Sequence, residues 1–101
     1  MMNRKEEILL ITMEECSEVA IEASKMIRFG YERNDRLEAE IGDLYCMIKL
    51  LEKEGVIDMR NVELCADAKM EKLKSWSNIF DDPEEPVSKE VEEELLPFMR
   101  D

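Results

Sequence analysis

Hydrophobic side chains recur at helical spacing through most of the first eighty residues. With about 100° of rotation per residue, the apolar positions of residues 6–29 fall on one arc of a helix. That arc consists of Ile8, Met26, Val19, Thr12, Ala23, Cys16, Leu9, Ile27, Ala20 and Met13. Gly30 follows at the position of a C-terminal cap glycine, so the pattern predicts a first helix that ends there.

Two more helices are predicted by the same criterion. The second covers about 36–54, with Asp35 as its N-terminal cap and Gly55 as its stop. The third covers about 59–76 and begins after Asp58 as cap. The predicted inner positions are Leu37, Ile41, Leu44, Tyr45, Ile48 and Leu51 in the second helix, and Val62, Cys65, Ala66, the stem of Lys69, Leu73 and Trp76 in the third.

The second helix is apolar on nearly every side, because Ala39, Cys46, Met47 and Leu50 lie outside its main arc. Such a helix has to be covered on several sides. Two other helices in a body of about 80 residues supply too little cover, since small domains bury a limited share of their surface. We therefore expect an all-α helical bundle whose four-helix core is completed by oligomerisation, as a homodimer or homotetramer.

The pattern changes after residue 80. Residues 81–101 carry nine acidic and two basic side chains, a net charge of −7, whereas residues 1–80 have a net charge of −5. We predict a helical domain over 1–80 and an acidic tail over 81–101. The tail is either disordered or contains a short helix from Ser88 that docks through Val91, Leu95 and Leu96.

Composition agrees with a helical protein and narrows its partners. The 101 residues are 45% hydrophobic and 40% charged, with 3 Gly and 3 Pro. A formal net charge of −12 argues against nucleic acid as the main partner. Cys16, Cys46 and Cys65 form no CxxC pair, so we expect buried free thiols and a cytoplasmic location. Neither a signal peptide nor a membrane span is evident.

Acidic pairs border the apolar arc in both of the first two helices. Glu15 and Glu18 are three residues apart in EECSE, and Glu40 and Asp43 repeat that spacing in EIGD. In each pair the first acid adjoins the arc and the second lies about 60° further out. If the helices are neighbours, four carboxylates converge along one line. Gly42, a poor helix former, lies between two of them, and we hypothesise that it allows a neighbouring helix or a phosphate to come close.

Four carboxylates at close range repel one another and raise each other's pKa values unless a cation is present. All the ligand atoms would be hard oxygens, and the chain has no histidine. That donor set favours Mg²⁺, or Mn²⁺, over zinc. A carboxylate-bound Mg²⁺ usually recruits substrate phosphates and activates water, which predicts a nucleotide or polyphosphate ligand. Lys69 and Lys72, together with Lys25, are candidate phosphate contacts.

At these residues the sequence resembles the MazG-like, all-α nucleoside triphosphate pyrophosphohydrolases. Their signature is EExxE on one helix and ExxD on the next, matched here by Glu14-Glu15-Cys16-Ser17-Glu18 and Glu40-Ile41-Gly42-Asp43. The resemblance covers residues 6 to 76. A tryptophan that often follows the first motif in deoxynucleotide-cleaving relatives is missing, as is an asparagine between basic residues of the last helix. Base and sugar preference are therefore open.

The resemblance implies an enzyme that cleaves nucleoside triphosphates between the α and β phosphates, giving a monophosphate and pyrophosphate. It implies Mg²⁺ held by Glu15, Glu18, Glu40 and Asp43, with Glu15 or Glu18 acting on the attacking water. Lys69 and Lys72 would meet the phosphates, and the protein would form dimers or tetramers. Trp76, Tyr45 and Tyr31 could stack on a base, although we expect the first two in the core. Two alternatives are a non-catalytic helical interaction or regulatory protein and a pyrophosphohydrolase acting on phosphoribosyl-ATP or an alarmone.

Overall fold

The computed structural model describes residues 1–80, 94 and 96–98, and these are almost entirely helical. Three α-helices cover most of them: α1 (Arg4–Phe29), α2 (Asn34–Lys53) and α3 (Met59–Trp76). The chain forms two compact units, Met1–Ile57 and Asp58–Asp101. The all-α prediction is confirmed, whereas completion of the bundle by oligomerisation and a domain boundary near residue 80 stay predictions.

Helix α1 begins about two residues earlier than predicted because Asn3 and Glu6 form a capping box. The side-chain oxygen of Asn3 accepts a hydrogen bond from the Glu6 N–H at 2.8 Å, and the Asn3 N–H donates to the Glu6 carboxylate at 3.4 Å. At the other end, the Gly30 N–H donates to the Met26 carbonyl, and Gly30 has a φ of 100°. The predicted cap glycine is therefore confirmed.

The connection to α2 is shorter than predicted. A 3-10 turn at Tyr31–Arg33 leads directly into α2, which begins at Asn34. The prediction that Asp35 caps the helix is wrong, because Asp35 lies inside the first turn and, among the described residues, no side chain caps this end. Asp35 still favours the helix there, since a carboxylate near an N-terminus interacts well with the helix dipole. The chain leaves α2 through Gly55, whose φ of 74° favours glycine.

Helices α1 and α2 form an antiparallel hairpin with a small core. An ion pair of 2.7 Å between Arg4 and Glu54 joins the start of α1 to the residue after α2. The buried side chains at that end are Ile8, Met47 and Leu51, with Ile11, Leu50 and Ile57 half-buried around them. Met47 and Leu50 belong to this core although the sequence pattern put them outside the main arc of α2.

The apolar arc predicted for α1 is wider than one partner helix can cover. Its half nearest α2 contains the covered residues Ile8, Thr12, Val19, Ala23 and Met26. Its other half is exposed and contains Leu9, Met13, Cys16, Ala20 and Ile27, with Met13 at 68% and Ile27 at 85% exposure. On α2, Ile41 and Tyr45 are likewise exposed, so Tyr45 is not a core residue of the single chain. Within the hairpin, burial therefore covers only one side of each apolar arc.

Helix α3 has the bounds that the sequence predicted, and Asp58 caps it by accepting a hydrogen bond from the Arg60 N–H at 2.9 Å. The predicted inner side is largely wrong. Ala68 is buried, and Leu64, Glu71, Lys72 and Leu73 are half-buried, whereas Val62, Cys65, Ala66, Lys69 and Trp76 are exposed. The apolar arc that the sequence pattern selects is therefore mostly exposed in the described residues, whereas polar Glu71 and Lys72 are half-buried.

In the tail, only residue 94 and a 3-10 turn at Leu96–Phe98 are described. Glu94 pairs with Arg60 at 3.1 Å, which joins this part of the tail to the start of α3. The predicted helix from Ser88, with Val91 and Leu95, lies outside the described residues. The described Leu96 is 62% exposed and therefore not docked in a core.

The three cysteines are free, as predicted, but they are exposed rather than buried. Cys16 lies on the uncovered half of the α1 arc, Cys46 on an outer position of α2, and Cys65 on an outer position of α3. The prediction from apolar neighbours in the sequence, that the three cysteines are buried, is therefore wrong. Among the described residues, no helix combines the length and hydrophobicity needed to cross a membrane.

Candidate metal centre

The hairpin brings the two acidic motifs together. Glu15 on α1 and Glu40 on α2 are half-buried, whereas Glu18 and Asp43 are exposed. This agrees with the helical geometry of the sequence, in which the first acid of each pair adjoins the contact between the helices and the second lies further out. Each helix thus supplies one carboxylate near the contact and one beside it.

Three of the four predicted ligands form a compact group. Glu15, Glu40 and Asp43 each place a carboxylate oxygen within 4.8 Å of the other two. Glu40 and Asp43 come from one side of α2, where residues three apart are neighbours. Glu15 faces them from α1. The group therefore depends on the packing of two helices and not on one local motif.

Glu18 is the fourth predicted ligand and is not a member of that group. It lines an adjoining pocket of about 330 Å³, which lies between α1 and α2 and shares Glu40 with the group. Its negative charge also contributes to the electrostatics of Glu40. The structure therefore brings Glu18 to the same site, although its carboxylate lies outside the group of three.

The electrostatics of the site centre on Glu40, whose pKa is raised above its usual value of 4.5. Partial burial is the largest cause, because it disfavours the charged carboxylate. Repulsion from Asp43, Glu18, Glu15 and Glu22 adds to it, in that order. Glu40 therefore shows the electrostatic repulsion that the sequence predicted for converging carboxylates. A cation bound beside Glu40 would relieve that repulsion.

Glu22 is a buried carboxylate whose environment the sequence reasoning missed. It is 7% exposed and is held by Arg33 at 3.4 Å and by Lys25 at 3.8 Å. A signal was present, because Glu22 follows Glu15 by two helical turns and so lies on the same side of α1. Arg33 comes from the 3-10 turn, and no periodicity predicts its position.

The predicted phosphate contacts fall in both units. Lys25 lines the pocket beside the acidic group. Lys69 and Lys72 belong to α3 in the second unit, where Lys72 is half-buried and the Lys69 ammonium lies 4.9 Å from the centre of the Trp76 ring. Trp76 is 61% exposed, so the expectation that it is a core residue is wrong. The roles of Lys69 and Lys72 at the phosphates stay predictions.

Gly42 lies between the two acids of α2 and is exposed. A Cβ atom added there would meet no atom within 4 Å among the described residues. The predicted close approach of a neighbouring helix is therefore wrong for the single chain. An approach by a phosphate or by a second chain stays a hypothesis.

The group of carboxylates suits a small, hard cation. Mg²⁺ binds oxygen at 2.0–2.1 Å in octahedral geometry, so two opposite ligands are about 4.2 Å apart. Neighbouring ligands in that geometry are only about 3 Å apart. The three oxygens, which lie within 4.8 Å of one another, would therefore have to move closer through rotamer changes to bind one ion directly. Exposed acidic residues also meet without an ion, so the donor set shows compatibility with a metal and not its presence.

No family model, curated protein or solved structure matches the chain. The resemblance to MazG-like pyrophosphohydrolases is therefore carried by the two acidic motifs and their spacing.

Proposed function

We propose that the protein is a Mg²⁺-dependent nucleoside triphosphate pyrophosphohydrolase, acting on NTPs or dNTPs to give a nucleoside monophosphate and pyrophosphate. One observation carries the proposal. The carboxylates of Glu15, Glu40 and Asp43 come within 4.8 Å of one another, and they belong to the two motifs that resemble the signature of that enzyme family. The coincidence of motif and geometry is the argument, because either alone is common in helical proteins.

In this proposal Glu15, Glu18, Glu40 and Asp43 hold Mg²⁺, or Mn²⁺ in its place. When bound, the ion would neutralise charge on the phosphate oxygens and lower the pKa of an attacking water. Glu15 or Glu18 accepts a proton from that water as general base. Lys25, Lys69 and Lys72 offset the negative charge of the phosphates. This assignment gives four of the five acidic positions of the two motifs a role in the same reaction, and Glu14 has none.

We also propose that the active form is a homodimer or homotetramer. In an antiparallel hairpin, positions rotated in the same sense from the helix contact come to the same side. Leu9, Met13 and Ile27 of α1 therefore share a side with Ile41 and Tyr45 of α2, and all five are exposed. The pocket residues are rotated in the opposite sense. Association through the apolar side would bury it and leave the carboxylates accessible.

The test is a panel of NTPs and dNTPs incubated with Mg²⁺ and assayed separately for pyrophosphate and for phosphate. We expect pyrophosphate, and we expect Glu40→Gln to lower its release by orders of magnitude without loss of helix content. Glu52→Gln is the matched control, because it changes the same charge at an exposed position of α2 outside the acidic group.

A second measurement separates the enzyme from an interaction protein on the same fold. Mg²⁺ should raise the melting temperature of the wild type and of Glu52→Gln, but not that of Glu40→Gln. Near-normal pyrophosphate release by Glu40→Gln would show that the metal assignment is wrong. Absence of both pyrophosphate release and a Mg²⁺-dependent rise in melting temperature would favour the non-catalytic alternative.

A further inference from the structure

The pocket beside the acidic group has a basic end, where the sequence predicted Lys25 but not Arg36. It is lined from α1 by Glu18, Glu22 and Lys25 and from α2 by Arg36 and Glu40. Arg36 precedes Glu40 by one helical turn, a rise of about 5–6 Å. Lys25 follows Glu22 by three residues on the facing helix. The side chains of Arg36 and Lys25 therefore lie toward one end of the pocket, and the group of carboxylates adjoins the other end.

Arg36 is available for a ligand. Among the described residues its side chain has no ion pair or hydrogen bond, although three carboxylates line the same pocket. It is also exposed, so binding an anion would not require a buried contact to break. The guanidinium group is planar and presents paired donors, which suits two oxygens of one phosphate.

Lys25 can also turn toward a ligand without leaving a buried charge uncompensated. Its contact with Glu22 is long, at 3.8 Å, and about a third of its side chain is exposed. Glu22 keeps a second partner, because the Arg33 guanidinium donates to its carboxylate at 3.4 Å. Arg33 therefore acts as a positioning residue that stabilises Glu22 and frees the neighbouring lysine.

We propose that Arg36 and Lys25 form a phosphate subsite, which binds the diphosphate part of a metal-complexed polyphosphate whose cation lies at Glu15, Glu40 and Asp43. The proposal rests on the proposed function and adds the contacts on the leaving diphosphate. The spacing supports it, since one helical turn separates Arg36 from Glu40 and linked phosphates span a similar length. Charge supports it as well, because an anion in a pocket with three carboxylates requires both the cation and these two basic side chains.

The experiment measures binding of pyrophosphate in the presence of Mg²⁺ by calorimetry, using the full chain. Arg36→Gln should weaken this binding about tenfold or more, the effect of losing charge-assisted hydrogen bonds to a phosphate. Lys25→Gln should weaken it by a smaller factor, and Arg36→Lys should recover part of the loss. Binding of Mn²⁺ alone should be the same in the wild type and in Arg36→Gln.

Arg28→Gln is the matched control. It removes the same charge from the same hairpin, but Arg28 lies over the Phe29 ring at the end of α1 and outside the pocket. In the pyrophosphate-release assay, Arg36→Gln should raise KM and also lower kcat, since the leaving diphosphate gains negative charge in the transition state. Arg28→Gln should change neither value.

The outcomes separate this inference from the proposed function. If Arg36→Gln binds pyrophosphate as well as Arg28→Gln does, the subsite is wrong, whether or not the wild type is an enzyme. If the wild type binds pyrophosphate through Arg36 but releases none from any nucleotide, the subsite stands and the proposed reaction is wrong. If the wild type neither binds pyrophosphate nor releases it, both are wrong.

Discussion

We expect the substitution Gly42→Ala to stabilise the metal-free protein. Gly42 lies in the interior of α2, and its φ is not in the left-handed region. A Cβ atom there would meet nothing within 4 Å among the described residues, so no clash opposes the change. Glycine in a helix interior is about 0.5–1 kcal/mol less favourable than alanine, because it loses more backbone freedom on folding. The free energy of unfolding should therefore rise by about that amount.

For a domain of this size, about 1 kcal/mol corresponds to a shift in melting temperature of about 4–8 °C. Gly42→Ala should then melt about 2–8 °C higher than the wild type when unfolding is followed by circular dichroism in the presence of a chelator. Ala20→Gly is the matched control. Ala20 is an exposed position inside α1, so the reverse exchange there should lower the melting temperature by a similar amount.

A melting temperature that is unchanged or lowered in Gly42→Ala, with the expected loss in Ala20→Gly, would refute the reasoning. It would mean that the space over Gly42 is filled in solution. Activity then decides what the glycine is for. A stabilised variant that has lost pyrophosphate release would indicate that the ligand needs this space, whereas a stabilised and fully active one would show that Gly42 is incidental.

Three further predictions concern the ends of the hairpin and its acidic group. In metal-free buffer, Glu40→Gln and the wild type should have the same melting temperature at about pH 4. The melting temperature of the variant should rise above that of the wild type as pH increases, because the raised pKa of Glu40 makes its ionisation costly only in the folded state. A difference independent of pH would contradict this. Asn3→Ala should lower the free energy of unfolding in urea by about 1 kcal/mol through loss of the capping box with Glu6, and a loss of only a few tenths would argue against the cap. Arg33→Gln should lower the free energy of unfolding by about 1–3 kcal/mol, because the charge of buried Glu22 loses a partner. The double variant with Glu22→Gln should recover most of that loss. Additive effects of the two changes would contradict the pairing.

The sequence predicted the ends of helices correctly where a capping residue had only one structural interpretation. Asp58 is followed by helical periodicity and accepts a hydrogen bond as a cap, and Gly30 takes a positive φ at the end of α1. Asp35 likewise precedes a predicted helix, but it is not the cap of α2, because the 3-10 turn before it already continues into that helix. The prediction for the inner side of α3 was wrong because helical spacing identifies an apolar arc but not whether another part of the chain covers it, and Val62, Cys65 and Trp76 are exposed.

The same distinction holds at the candidate site. The relation of Glu15 and Glu40 to the helix contact follows from periodicity alone, and both are half-buried as expected. The pairing of Glu22 with Arg33 depends on how the 3-10 turn folds back, which no helical pattern encodes. The sequence therefore predicted the carboxylates of the site and Lys25, whereas the position of Arg33 follows only from the folded hairpin.

The hairpin has two sides with opposite physical properties, and its core is small. On one side, the carboxylates raise the pKa of Glu40, a cost that a bound cation would relieve; on the other, side chains such as Met13, Ile27 and Tyr45 expose apolar surface that a second chain would cover. The contact between α1 and α2 relieves neither the repulsion nor the exposure, because it buries little beyond Ile8 and its neighbours. If both partners bind, the ion and a second copy act on different sides and do not compete. Stability gained from assembly would then be separable from stability gained from the metal, because dilution would remove the first and a chelator the second.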